Sequence, residues 1–166
     1  MLVVRFATPN DVLEMKKLLI EAWKITYDKL YSKAYIQRVI EEFYNEERLH
    51  KEVLTKNQSF NGYMVAEKDG LILGCICGGC ESDTGFIYAL YVHPEFKQKG
   101  IGKELLRVYT AYQKEHYAIK KQAVSVVENN QMGIPFYEKV GFVLSKTVPN
   151  WFDNTQGYKC HFERSV

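Results

Sequence analysis

The run Lys97-Gln98-Lys99-Gly100-Ile101-Gly102-Lys103 constrains this chain more than any other stretch. Before it stands Phe86-Ile87-Tyr88-Ala89-Leu90-Tyr91-Val92, apolar and rich in strand-favouring residues. After it, Ile101, Leu105, Val108 and Tyr112 recur at helical spacing. The spacing predicts a strand over Thr84 to Val92, a glycine-bearing turn, and a helix from about Gly100 to Tyr117. At such a join the first helical N–H groups lack intrahelical acceptors, and the helix dipole favours negative charge. Glycine lets the backbone approach a ligand closely. Lys97, Lys99 and Lys103 add positive charge around the turn. Read alone, the two glycines serve a plain strand–turn–helix join equally well. Gly102-Lys103-Glu104 lacks the Ser/Thr of a Walker A loop, and Leu105 stands where G-x-G-x-x-G needs a third glycine.

At 166 residues the chain suggests one domain, residues 1–166, with a real core. A net charge of +2 is too small to indicate nucleic-acid binding, so the lysines matter locally. The N-terminal stretch does not read as a signal peptide, and no apolar run approaches the roughly 20 residues of a membrane span. A cytoplasmic protein is expected, with no nucleic acid and no membrane among its partners. The cysteines Cys75, Cys77 and Cys80 invite a metal reading. Cys75 and Cys77, however, fall in a predicted strand, on one face, as small apolar residues. No second Cys/His pair follows nearby, so no metal is expected.

Leu2 to Phe6 reads as a first strand. Thr8-Pro9-Asn10-Asp11 is a helix start, with Thr8 as N-cap, Pro9 at the first helical position and Asp11 completing a capping-box-like pattern. Ser32 caps a second helix, with Tyr35, Ile36, Val39, Ile40 and Phe43 on its apolar side. Asn45 caps a further short one through Glu52, with Leu49 and Val53 inward. Asp69-Gly70 between apolar runs predicts a hairpin. Gly78-Gly79 and Ser82-Asp83 mark the next turn. Ala123 to Val127 is strand-like, Asn130 opens a short helix ended by Gly141, and Phe142–Val148 and Gly157–Phe162 form two closing strands. The order, βααβββαβαββ, is an α/β (α+β) sheet domain. In the closing strands Trp151, Phe152, Tyr158 and Phe162 suit either the core or pairing across a homodimer, and both stay open.

A second block, Asn130-Gln131-Met132-Gly133-Ile134-Pro135-Phe136-Tyr137-Glu138-Lys139-Val140-Gly141-Phe142, lies downstream of the loop. Together the two blocks resemble the signature regions of the GCN5-related N-acetyltransferases. Lys97 to Gly102 looks like that family's Arg/Gln-x-x-Gly-x-Gly/Ala pyrophosphate loop, and Asn130 with Phe136-Tyr137-x-Lys139-x-Gly141-Phe142 looks like its Asn…Phe-Tyr-x-Lys-x-Gly-Phe block. Lys97 departs from the usual Arg or Gln, and Gly133 from the usual Ala; Pro135 removes a helical N–H. The resemblance implies a mixed, mostly antiparallel central sheet flanked by helices, and acetyl-CoA as donor. It implies that Leu90, Tyr91 and Val92 offer strand edges to the pantetheine arm. Gln98, Lys99, Gly100, Ile101, Gly102 and Lys103 would surround the pyrophosphate, and Lys97 would reach the 3′-phosphate. Asn130 would hydrogen-bond the pantetheine or hold splayed strands.

Acetyl transfer needs a neutral amine, and a free alkylamine with a pKa of about 10.4 is nearly all protonated at neutral pH. The developing oxyanion needs a donor, which the resemblance assigns to a backbone N–H at Tyr91 or Val92. The leaving thiolate needs a proton, which Tyr137 would supply; the plainer alternative is a packed helix aromatic. No carboxylate falls within Phe86 to Leu90, and Glu81 and Asp83 just before it read as turn residues. Direct attack, with the proton leaving through ordered water, is the expected route. His93, before a proline, reads as structural.

In this family the N-terminal helices flank the acceptor. Here they carry Trp23, Tyr27, Tyr31 and Tyr35, with Glu41, Glu42, Glu46 and Glu47. Aromatic faces and carboxylates suit a cationic small-molecule amine; an aromatic core stripe with a solvated acidic face fits the pattern equally. Glu21 to Tyr27, followed by Tyr31-Ser32-x-x-Tyr35-Ile36, is also similar to microbial polyamine N-acetyltransferases, which act on spermidine or spermine. Trp23, Tyr27, Tyr31 and Tyr88 are the candidate acceptor contacts. The alternatives are a protein or peptide N-acetyltransferase, a non-catalytic acyl-CoA-binding module, and a plain nucleotide-phosphate binder.

Overall fold

The computed structural model describes residues 1–166. Its strands are β1 (Val3–Phe6), β2 (Tyr63–Lys68), β3 (Leu71–Glu81), β4 (Thr84–Val92), β5 (Lys121–Val127), β6 (Val143–Pro149) and β7 (Tyr158–Ser165). Its helices are α1 (Val12–Tyr27), α2 (Lys33–Phe43), α3 (Glu46–Val53), α4 (Ile101–Tyr117) and α5 (Gly133–Lys139). The strands form one sheet in the order β1-β2-β3-β4-β5-β7-β6. Every neighbouring pair is antiparallel except β4 and β5, which run parallel through the crossover helix α4.

Local chemistry explains the starts and stops. The Thr8 N–H donates to the Asp11 carboxylate at 2.7 Å, in a short 3-10 turn that leads into α1. Ser32 Oγ accepts from the Tyr35 N–H, and Asn45 Oδ1 from the Arg48 N–H, so both side chains cap their helices. Asp69 and Gly70 both take positive φ, as a tight hairpin between β2 and β3 requires. The Asn45-capped segment is a full helix, α3, so three helices rather than two precede the hairpin. Gly78 and Gly79 do not turn the chain. They lie inside β3, where a Cβ on Gly78 would strike the Phe86 carbonyl and one on Gly79 the Ser59 carbonyl. Their absent side chains allow close backbone approach within a sheet.

Two apolar layers cover the sheet. Helices α1, α2 and α3 pack Val12, Met15, Leu19, Trp23, Ile36, Leu49 and Val53 against Val65, Cys75, Cys77 and Ala89 on one face. On the other, α4 and α5 pack Ile101, Leu105, Tyr109 and Tyr137 against Leu73, Ile76, Ile87 and Val124. Cys75 and Cys77 thus share a face as core residues, and burial pushes both thiols above their ordinary range. The closing-strand aromatics divide: Phe162 and Phe152 pack inward, while Trp151 and Tyr158 are exposed. No helix is long and apolar enough to cross a membrane.

Candidate functional site

Strands β4 and β5 pair only from Thr84 to Ile87, opposite Lys121 to Val124. β4 continues to Val92 and β5 to Val127, so the parallel seam splays open beyond Ile87. On its other side β4 stays paired with β3 as far as Val92. The register shifts between Cys77 and Gly78, where Ala89 pairs Cys77 and Ile87 pairs Gly78. Tyr88 is therefore the extra residue of a bulge, placed where the seam opens.

The opening is a cleft of about 780 Å³. One wall is β4 from Ile87 to Val92, the other Val124 to Val126 and the α5 block, and the floor is the start of α4. Leu90, Tyr91, Val92, Lys97, Gln98, Gly100, Ile101, Gly102, Lys103, Asn130 and Tyr137 all line it. Lys99 does not; its ammonium lies 5.5 Å from the Phe96 ring centroid instead. Of the candidate acceptor contacts, Tyr27 and Tyr88 line the cleft, and Trp23 and Tyr31 stand behind Tyr27 at ring separations of 4.1 and 5.8 Å. Thr26, Ser125, Gln131 and Phe136 also line it; their only sequence signal is adjacency to motif residues.

The loop backbone fits an anion. Gln98 and Gly100 have φ of 62° and 81°, left-handed values that turn successive N–H groups toward one side. A Cβ on Gly100 would meet nothing within 4 Å, and one on Gly102 would meet only Val92 and Phe136 side chains at 3.5–3.7 Å. The protein's own packing does not require glycine at residue 102. What its absent side chain keeps clear is the floor of the cleft, beside the free N–H groups of α4. The Lys97 ammonium stands 3.5 Å from Met132 Sδ, and burial lowers its pKa from the ordinary range.

Asn130 Oδ1 accepts from the Met132 and Gly133 N–H groups at 3.1 and 2.9 Å, which sets the start of α5. Gly133 is demanded there, because a Cβ would press on the Asn130 amide at 2.8 Å. Pro135, the third residue of α5, sits in the first turn, where an N–H has no intrahelical partner. It therefore does not loosen the helix that carries Tyr137.

Tyr137 is buried between Phe136 and Phe142, both edge-on to its ring. Burial first, and the neighbouring Tyr27 second, push its phenol above the ordinary value. Tyr27 and Tyr91 bring their hydroxyls to 3.3 Å of each other at the same end of the cleft, and burial raises both. Three neutral phenols therefore gather where the strands part.

The carboxylates are elsewhere. None lines the cleft. Glu41, Glu42, Glu46 and Glu47 lie on the outer sides of α2 and α3. Glu42 stands 3.8 Å from Arg48, and Glu46 is 3.4 Å from Lys16. Their acidic face is a solvated one, because α2 turns Tyr35, Ile36, Val39 and Ile40 inward. Glu81 and Asp83 are exposed at the turn that opens β4, at the strand end away from the cleft. His93 Nδ1 accepts from the Glu95 N–H and caps a 3-10 turn, a structural role.

Comparison with known proteins supplies the family. The acetyltransferase (GNAT) domain model matches residues 59–144, which include β2 to β5, α4, α5 and the cleft between them. The chain belongs to the GNAT acetyltransferase family. A spermidine N(1)-acetyltransferase of Thermoplasma acidophilum is 29% identical over 145 residues, covering 87% of this chain and 89% of that protein. The crystal structure of the PaiA N-acetyltransferase of Thermoplasma acidophilum with coenzyme A superposes with a TM-score of 0.89 at 27% identity, covering 100% of this chain and 99% of that one. N-alpha-acetyltransferase 60 of Drosophila melanogaster is 24% identical, with 90% of this chain covering 63% of that relative. The chain is an acetyl-CoA-dependent N-acetyltransferase of the GNAT type.

Proposed function

We propose that this acetyltransferase moves the acetyl group of acetyl-CoA to a primary amine of a polyamine such as spermidine or spermine, by direct attack, with Tyr137 as general acid. One domain, residues 1–166, carries the reaction. The observation that carries this reading is the placement of Trp23, Tyr27, Tyr31 and Tyr35 as a continuous aromatic strip whose member Tyr27 lines the cleft. The likeness to a spermidine acetyltransferase supports it.

Acetyl-CoA supplies the activated thioester. The free β4 edge from Leu90 to Val92 takes the pantetheine amides, with Asn130 opposite. The N–H groups from Gln98 to Lys103 cradle the pyrophosphate at the start of α4. Lys97, at the cleft rim, reaches a further phosphate, and an anion beside it restores the ammonium that burial disfavours. With no carboxylate in the cleft, no side chain there serves as an obvious base. Desolvation against Tyr27 and Tyr91 instead favours the neutral amine. Tyr137 holds its proton through the neutral range. The same burial raises the basicity of a departing thiolate, so the proton moves to sulfur only once the C–S bond breaks.

Steady-state turnover of spermidine, spermine, a simple monoamine and an N-terminal peptide amine tests the acceptor. Polyamines should show the highest kcat/KM; equal or absent activity on spermidine defeats that part. Tyr137→Phe should lower kcat roughly 10²-fold, about 2.7 kcal/mol in barrier, with acetyl-CoA affinity kept. Unchanged kcat would assign Tyr137 to packing alone.

A further inference from the structure

Glu128 is the carboxylate that the aromatic strip keeps company with, although the run of glutamates on α2 and α3 is the more conspicuous feature of the sequence. It follows the last residue of β5, between Val126 and Asn130, which both line the cleft. Its backbone is held, because its N–H donates to the Tyr158 carbonyl at 3.1 Å. Its side chain is half-buried and makes no ion pair or hydrogen bond within the protein. Its charge reaches the Tyr31 phenol, one of several influences raising that group above its ordinary value.

The surrounding cations are engaged elsewhere. Arg38 pairs with Asp153 at 3.0 Å. The Lys159 ammonium lies 5.6 Å from the Trp151 ring centroid, and burial lowers its pKa. Tyr31 itself is positioned. Its ring stacks on Trp23 at 6.2 Å and 8°, and the buried Asn150 amide reaches its hydroxyl at 3.5 Å and that of Tyr35 at 2.8 Å. A half-buried carboxylate without a cation, beside an ordered aromatic strip, is the complement of an alkylammonium ion.

The geometry points to Glu128, with the Tyr31 ring, as the subsite that holds a second, non-reacting ammonium of the acceptor while its neutral amine enters the cleft past Tyr27. This rests on the amine-acceptor reading above and deepens it. Such a site selects acceptors with two separated nitrogens over monoamines.

Kinetics with spermidine and with n-butylamine separate the cases. Glu128→Gln should raise KM for spermidine at least tenfold, leave KM for n-butylamine and for acetyl-CoA within twofold, and keep kcat. Glu128→Asp should recover part of the loss. An unchanged spermidine KM, or an equal rise for n-butylamine, overturns the subsite. Binding of 1,4-diaminobutane to the CoA-loaded protein, followed by calorimetry, reads the subsite without turnover. Affinity at least tenfold weaker in Glu128→Gln supports it, and absent or equal binding overturns it. Should wild-type protein fail to acetylate spermidine, the polyamine reading falls, and the calorimetry still decides on Glu128.

Discussion

The two ends of the β4–β5 seam are built from opposite materials. At the closed end, Gln122 of β5 and Gln113 of α4 are fully buried and bonded amide to amide at 3.0 Å. Gln113 Nε2 continues to Asn61 Oδ1 at 2.9 Å and to the Gly79 carbonyl at 3.1 Å. Arg164 of β7 donates to Gln122 Oε1 at 3.0 and 2.8 Å, and to the Val140 carbonyl at 2.8 Å. Tyr109 closes the set on the Gly62 carbonyl at 2.7 Å. At the open end, a few residues along the same strands, β4 and β5 make no bonds to each other. The buried phenols there have at most one another as partners, and the Gly102 backbone faces a cleft. The contrast teaches that the cleft is a designed interruption. A saturated network pins two parallel strands at one end, so they can diverge at the other without the sheet coming apart.

Three substitutions separate the ends, in falling order of effect. Gln122→Leu strips partners from Arg164, Gln113 and Thr110 at once. Buried groups left unpaired cost roughly 3 kcal/mol, so urea unfolding should show a loss of that size. Acetyl-CoA affinity of the folded fraction should be nearly unchanged; a stable variant with weakened binding would reverse the assignment of roles.

Gly102→Val should act the other way. The new side chain finds room against Val92 and Phe136, and valine is a better helix former than glycine, so stability should hold to within about 0.5 kcal/mol. Acetyl-CoA affinity should drop at least tenfold, because the branched side chain occupies the floor of the cleft. Calorimetric titration reads this directly, and retained affinity would place the pyrophosphate elsewhere.

The smallest effect belongs to a control remote from both ends. Asp11 accepts from Arg5 at 2.8 and 3.0 Å, and that pairing is the main cause holding its carboxyl below the ordinary range. A pKa lowered in the folded state adds stability that is present above the unfolded value near ~3.9 and is lost as pH falls through the folded value. Asp11→Asn should therefore be less stable than wild type at pH 7. The gap should shrink below about pH 4, while acetyl-CoA binding stays the same. A gap independent of pH would mean that the carboxylate charge is not what stabilises this corner.

Much of the cleft was legible in the chain because its parts are local. The Gly100 turn, the α4 start, the Asn130 cap and Tyr137 each depend on residues within a few positions, and short-range patterns record such features. Leu90 to Val92 read correctly as a wall of the site because alternation marks one strand. The same reasoning misplaced Gly78-Gly79. Paired glycines look alike in a turn and in a strand that another backbone must approach closely, and only the Phe86 and Ser59 carbonyls tell them apart. It also gave weight to Glu41, Glu42, Glu46 and Glu47, whose number is conspicuous but whose helix faces point to solvent.

What the sequence determined by itself is the set of local devices: capped helices, the Asp69-Gly70 hairpin, and a glycine-lined anion cradle before α4. These follow from φ preferences and unsatisfied N–H groups, and need no distant partner. Only the tertiary structure decided where the parallel seam stops pairing, that Gln113, Gln122 and Arg164 hold its closed end, and that Glu128 rather than the α2 and α3 glutamates stands by the aromatic strip. Those facts join residues tens of positions apart, and nothing in local spacing encodes which of many chemically similar side chains the folded sheet brings together.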